Sequence, residues 1–242
     1  DDPIKDLSPL SGLTNVRYNI VINNSFAGSS LAGLENIVSA GGLTIGSATT
    51  PTTPKEGIAV VLSSLESLGK LQINSSQVTA LILPKLKTVG DTYIDANMLA
   101  MADFSSLETC DENFIMKASS GNTYLTTLAL PAFNHVRCNM QIEKYTKIET
   151  LSLPKLEKVG GNVTLSTLGS ITELSLPEFA QCGGSFSSAN LNKATKISLP
   201  KLVSVPTLSL TGNTSNSSTE EIELPLLENV SNDLTIKMGA LS

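Results

Sequence analysis

The chain has 242 residues, of which 40% are hydrophobic and only 4% aromatic, with no tryptophan. Its 16 basic and 22 acidic residues give a net charge of −6. This balance argues against a nucleic acid or an anionic membrane surface as partner, because both require a basic face. No apolar run approaches the length of a transmembrane helix, so we expect no membrane insertion by this segment.

A repeat runs along the chain and is clearest in residues 151–165, LSLPKLEKVGGNVTL. Two short alternating apolar pairs are separated there by a proline and a glycine pair, which predicts two strands joined by a corner. The same spacing recurs around prolines that lie 23 residues apart, at positions 131, 154, 177 and 200. Copies without the proline precede them, back to the first 45 residues.

A fixed period of this length is typical of a solenoid, in which each unit packs only on its neighbours. We predict a mostly β protein, a right-handed parallel β solenoid of about ten coils of 21–25 residues. Each proline should end a strand, because it has no N–H to donate to a neighbouring strand. Glycines such as Gly90 and Gly160 are expected to supply a positive φ at the opposite corner.

The repeat predicts a single domain over residues 1–242, interrupted by insertions near 46–60, 117–127 and 211–220. The first insertion contains the Pro/Thr-rich stretch GSATTPTTPKEG and the third is the polar stretch TGNTSNSSTEE. The chain ends just after LTIKM without a polar cap. We expect that end either to be covered by a segment outside this sequence or to be an association surface.

No catalytic or metal-binding group of residues stands out. The only histidine, His135, falls in a predicted corner, and the acidic pairs Asp111-Glu112 and Glu220-Glu221 belong to different coils. Cys110 and Cys182 occupy inward positions that valine fills elsewhere, which predicts buried thiols rather than ligands. We therefore expect no enzyme activity, no cofactor and no metal.

The outward residues of the second strand form the candidate binding face. They should stack from coil to coil, and the more apolar half of the stack is unusual for a surface that needs only solubility. The alternative is that the long loops at 46–57 or 119–127 fold over this face and bury it. The residues proposed for the binding face are Val21, Gln72, Tyr93, Ile115 and Gln141.

The stretch LPKLEKVGGNVTLSTLGSITELSLP resembles the BspA-like leucine-rich repeats of bacterial cell-surface proteins, and LAGLENIVSAGGLTIGS resembles the L-domain repeat of receptor ectodomains. The chain lacks the A-F pair and the regular cysteine of the BspA-like repeat, which favours the L-domain variant. The resemblance implies a secreted or surface-anchored protein that acts in adhesion or recognition. It carries over no active site, because these families have none.

Three classes of function follow as expectations. The first is a non-catalytic cell-surface module that binds a protein or a glycan, and the second is a structural spacer within a larger surface protein. A β-helix polysaccharide lyase or hydrolase is a distant third, which two carboxylates within about 10 Å on one groove would support. An extracellular location agrees with the start at Asp1, which looks like a trimmed end and leaves room for a lipid anchor on a removed segment. The ligand and the oligomeric state stay open.

Overall fold

A computed structural model describes residues 4–23, 26–46, 57–75, 77–212 and 221–237. In this part of the chain the fold is a parallel β-solenoid with no α-helix and a single 3₁₀ turn, Ser8–Leu10. Most of the predicted insertions at 46–60 and 211–220 lie outside the described residues. Residues 117–127 lie in the end of a long strand and in the turn that follows it.

Over the described ranges, one side of the solenoid, the main wall, is a sheet of 16 strands. Ten of them follow one another from coil to coil and define about nine turns, close to the ten coils predicted. Their bounds are β1 (Asn15–Ile22), β2 (Ser39–Ile45), β4 (Ser67–Asn74), β6 (Thr88–Asp95), β9 (Phe114–Asn122), β12 (Met140–Tyr145), β15 (Val163–Ser166), β18 (Ser185–Ala189), β21 (Thr207–Thr211) and β24 (Leu234–Lys237).

The other six strands of the main wall are two residues long and lie at its edge. They continue the first half of β6. An extra residue after Cys110 splits the longer strand into β8 and β9, and the two pieces are separate strands in the coils that follow. Their bounds are β8 (Thr109–Cys110), β11 (His135–Val136), β14 (Lys158–Val159), β17 (Gln181–Cys182), β20 (Ser204–Val205) and β23 (Asn229–Val230).

The opposite side, the split wall, consists of three separate parallel sheets in the part of the chain that the structure describes. Their strand orders are β3-β5-β7, β10-β13 and β16-β19-β22. The bounds are β3 (Ile58–Val61), β5 (Val78–Ile82), β7 (Met101–Asp103), β10 (Thr127–Ala129), β13 (Thr150–Ser152), β16 (Glu173–Ser175), β19 (Lys196–Ser198) and β22 (Glu221–Glu223).

The prolines end the split-wall strands as predicted. After β13, Leu156 N–H donates to the carbonyl of Leu153 at 3.3 Å, which closes a four-residue turn with Pro154 in its second position. Proline is favoured there because its ring fixes φ near the value that the turn requires. The same bond closes the turns at Pro84, Pro131, Pro177, Pro200 and Pro225.

The expectation of positive φ at the glycine corners is wrong. In the described chain only Gly33, Gly46 and Gly121 have positive φ among the glycines. At Gly160 the limit is space, because a Cβ there would lie 2.0 Å from the carbonyl oxygen of Arg137 in the preceding coil. Glycine allows the backbones of successive coils to approach closely at this corner.

Among the described residues, the core is one continuous column of apolar side chains between the two walls. Its largest members include the ring pair Phe114 and Phe133, whose centroids lie 4.9 Å apart, and the fully buried Tyr145. Cys110 and Cys182 are buried as predicted and carry free thiols. Burial raises the pKa of the Cys110 thiol to about 12. In the last described coil, Leu234 is 57% exposed.

Candidate functional site

The predicted outward residues stack in register on the main wall. Val21 pairs with Thr44 and Thr44 with Gln72. Gln72 then pairs with Tyr93. The order continues through Ile115 to Gln141, Thr164, Ser187, Ser209 and Thr235. We call this row of residues the outer ladder. Because its strands are hydrogen-bonded neighbours, successive side chains lie about 4.8 Å apart on a rigid surface.

The centre of the outer ladder is apolar and only partly accessible. Val21 is 61% exposed, whereas Tyr93 and Ile115 are half-buried. The Lys117 Nζ lies 5.0 Å from the centroid of the Tyr93 ring, a distance typical of a cation–π contact. The side chains of Tyr93 and Ile115 therefore form a shallow apolar patch on the sheet rather than an isolated protrusion.

The last residues of β9 do not close over this apolar patch. Ser119 N–H donates to Asp95 Oδ1 at 2.9 Å and Ser120 N–H donates to Asn97 Oδ1 at 3.1 Å. These bonds hold residues 119 and 120 beyond the end of the apolar patch, and both serines are exposed. The other loop expected to cover the ladder, at 46–57, lies almost entirely outside the described residues.

A charged row runs beside the outer ladder and was not predicted from the sequence. Asp95, Lys117 and Glu143 pair in register on β6, β9 and β12. Gln141 Nε2 donates to Glu143 Oε2 at 2.6 Å, and Ser166 Oγ donates to Glu143 Oε1 at 3.0 Å. The alternation of side chains along each strand could have predicted this row from the sequence, because each charged residue follows a residue of the outer ladder by two positions.

The charge pattern of this row is set by its neighbours. Interaction with the Tyr93 side chain, aided by the carboxylates of Asp95 and Glu143, holds the pKa of Lys117 above its usual value. Lys117 is thus a cation at neutral pH, with a carboxylate on each side and an aromatic face beneath it. Such a surface offers a ring for stacking, amide and ammonium donors, and carboxylate acceptors within three adjacent strands.

An asparagine ladder at the edge of the main wall holds the strand starts in register. Asn139 N–H and Nδ2 donate to Asn113 Oδ1 at 3.3 and 2.9 Å. Asn162 N–H donates to Asn139 Oδ1 at 2.9 Å, and Ser185 N–H to Asn162 Oδ1 at 2.8 Å. This ladder was also not predicted. It fixes the positions from which the outer ladder residues of β9, β12, β15 and β18 project.

The structure gathers no group of metal ligands in its described part, since no three His, Cys, Asp or Glu side chains come together there. His135 is half-buried at the wall edge, between Thr109 and Lys158. Glu221 pairs with Lys196 on the split wall, far from Asp111, while Glu220 lies outside the described residues. That the chain is not an enzyme stays a prediction.

Two carboxylates, Glu149 and Glu173, do line a single cleft on the split wall. Both are exposed. A catalytic acid is normally held in an apolar, buried setting that favours its protonated form. This pair therefore gives the lyase or hydrolase expectation little support.

No family model, curated protein or solved structure matches this chain. Among the described residues, no helix has the length and apolar character needed to cross a membrane.

Proposed function

We propose that this chain is a non-catalytic binding module of the cell surface, which recognises a protein or a glycan through the centre of the outer ladder. The observation that supports this most strongly is the adjacent pair Tyr93 and Ile115 on a rigid sheet, with Lys117 packed against the ring. Aromatic residues near the centre of a flat patch are the usual anchors of protein interfaces. They also stack on the apolar faces of sugar rings.

The surroundings of the pair suit such a role. Gln72 and Gln141 flank it along the ladder, and Asp95 and Glu143 flank Lys117 in the charged row. All of these groups are fixed on hydrogen-bonded strands, so a ligand orders few side chains when it binds. The face is therefore pre-organised for a partner that offers both apolar contact and hydrogen-bonding groups.

We assign the chain to the leucine-rich-repeat solenoids of the BspA-like or L-domain type as part of the same proposal. The proline turn and the 23-residue spacing of the coils support this assignment. It carries with it an extracellular or surface location, with anchoring through a segment outside this sequence.

A spacer within a larger surface protein is the second candidate. The observation that favours it is the far half of the outer ladder, where Thr164, Ser187, Ser209 and Thr235 offer only small polar side chains. A surface of this kind is typical of a scaffold with no ligand of its own.

Binding to a panel of matrix proteins and glycans separates the two. The variant Tyr93→Ala/Ile115→Ser should keep the fold, because both side chains point outward, and should lose at least tenfold in affinity for any ligand found. The matched control is Ser187→Ala/Ser209→Ala on the far half of the ladder, which should bind like the parent. Equal binding by the two variants would refute the site, and a parent that binds nothing on the panel would favour the spacer.

A further inference from the structure

The split wall is interrupted between β13 and β16, and the interruption forms a slot. No hydrogen bond joins the two strands in the described chain, and their Cα atoms lie mostly more than 8 Å apart. Paired strands lie about 4.8 Å apart, so a gap of one missing strand would separate them by roughly 9.6 Å. A cleft of about 350 Å³ fills the space between them.

The backbone groups that face the slot can be identified from the bonds on either side. Leu130 N–H donates to the Ser152 carbonyl at 2.9 Å, so the peptide groups of Ser152 point towards β10. Because alternate residues of a parallel strand point to opposite neighbours, the peptide groups of Leu151 and Leu153 point into the slot. Leu153 N–H has no partner in the described chain.

The other edge of the slot is equally open. Leu176 N–H donates to the Ser198 carbonyl at 3.0 Å, so its peptide group faces β19. The peptide groups of Ser175 consequently face the slot. Each edge of the slot thus presents backbone N–H and C=O groups without partners across the gap, and an added β-strand requires such groups for pairing.

The side chains around the slot indicate which strand would fit. Leu151, which is 9% exposed, forms part of the floor. Ser152 and Ser175 line the outer rim and are too small to obstruct it. Glu149 and Glu173 stand at the end where both strands begin, and both are exposed.

β19, on the far side of β16, shows which sequence pairs with the edge of β16 that corresponds to the slot-facing edge of β13. Lys196 of β19 lies opposite Glu173, Ile197 opposite Leu174 and Ser198 opposite Ser175. The pattern is a cation, an apolar residue that enters the core, a small polar residue at the surface, and then a second apolar residue. A strand with this pattern in the slot would place its cation beside Glu149 and Glu173.

We propose that the slot is a β-strand addition site for an extended peptide with the pattern basic, apolar, small polar, apolar. The peptide inserts parallel to β13 and β16, bonds to Leu151 and Leu153 on one side and to Ser175 on the other, and completes the wall. Main-chain bonds supply affinity, and the two carboxylates with the apolar floor supply specificity. This site lies on the opposite wall from the outer ladder and does not depend on it.

The probe is a labelled peptide with the sequence of residues 194–201, ATKISLPK, added to the full chain. We expect saturable binding and at least tenfold slower hydrogen exchange at Leu153 N–H and Ser175 N–H in the complex. The peptide ATEISLPK, in which glutamate replaces the first lysine, should bind at least tenfold more weakly. A third peptide, methylated on the backbone nitrogens of its isoleucine and serine, should fail to bind because it cannot pair.

The chain variant Glu149→Gln/Glu173→Gln should weaken binding of ATKISLPK at least fivefold. Its matched control, Glu108→Gln/Glu112→Gln, removes two exposed carboxylates on the other side of the molecule and should have no effect. The proposal is overturned if ATKISLPK does not saturate up to about 1 mM. It is also overturned if binding leaves the two amides unprotected or is insensitive to the loss of Glu149 and Glu173.

Discussion

The two walls of the solenoid come from the same repeat but differ in continuity. In the main wall every coil from β1 to β24 pairs with the next, whereas the split wall is cut between β7 and β10 and again between β13 and β16. The main wall has glycines and an asparagine ladder at its edge, which bring the backbones close and fix their register. The split wall has its proline turns and, between β19 and β22, the ion pair of Lys196 with Glu221.

The difference shows where the fold is held tightly and where it has room for a partner. A continuous wall presents side chains on a fixed grid, which suits recognition by the outer ladder. A cut wall presents backbone groups, which suits strand addition. Substitutions in the two walls and at the corners between them test this contrast.

The first compares two leucines of one coil. Leu165 in the main wall is fully buried between Ile142 and Ser188, so Leu165→Ala should lower the free energy of unfolding by about 3–5 kcal/mol. Leu151→Ala, beside the slot, should lower the free energy of unfolding by about 2–3 kcal/mol, because Leu151 has fewer neighbouring side chains to lose contact with. Urea unfolding measures both, and equal costs would show that the two walls are packed alike.

The second tests the close approach of coils at the glycine corner. Gly160→Ala should cost about 2–3 kcal/mol, because its Cβ would overlap the Arg137 carbonyl oxygen and the backbone would have to move. Gly12→Ala is the control, since no atom of the described residues lies within 4 Å of its Cβ. Thermal unfolding of both variants measures the effect. Equal melting temperatures would show that the fold does not require the close approach of coils at Gly160.

The third concerns a polar residue within the main wall. Ser188 is 1% exposed and its Oγ has no hydrogen-bond partner in the described chain, while its neighbours in register are Leu165 and Leu210. Ser188→Val should therefore raise the free energy of unfolding by about 1–2 kcal/mol. Ser187→Val, on the outer face, should change it by less than about 0.5 kcal/mol. A destabilised Ser188→Val variant would contradict this account of the core.

The fourth, and smallest, concerns the corner that leads from the main wall to the split wall. Thr167 has φ of 56°, which is strained for a β-branched residue, and Asn190 adopts φ of 54° one coil later. Thr167→Asn should raise the free energy of unfolding by about 0.5–1 kcal/mol, because asparagine tolerates this conformation. Chemical denaturation of the variant and the parent measures this difference. An unchanged free energy of unfolding would mean that the backbone at Thr167 is not strained.

The repeat spacing was enough to predict the main wall. It identified the inward residues, the proline turns and the register of the outer ladder from Val21 to Gln141, because all of these depend on a period that is visible in the residues themselves. It also marked residues 117–127, which lie between β7 and β10 where the split wall is first cut.

The second cut could not be predicted. The sequences that contain β13 and β16, TLSLP and ELSLP, are almost identical and follow the same template. Nothing in them indicates that these two strands do not pair. The role of Gly160 was missed for a similar reason, because the need for space depends on a carbonyl in another coil and not on local conformation. Lys117 was missed because its partner, Tyr93, belongs to the neighbouring coil.

Residue-resolved hydrogen exchange of the free chain tests the contrast between the walls most directly. The leucines at positions 130, 153, 176 and 199 occupy the same place in four successive coils. Three of their amides donate to the next coil, at 2.9, 3.0 and 3.0 Å, and the amide of Leu153 does not. We predict exchange at Leu153 at least tenfold faster than at the other three. Equal protection of all four amides would mean that the split wall is closed and that the slot does not exist.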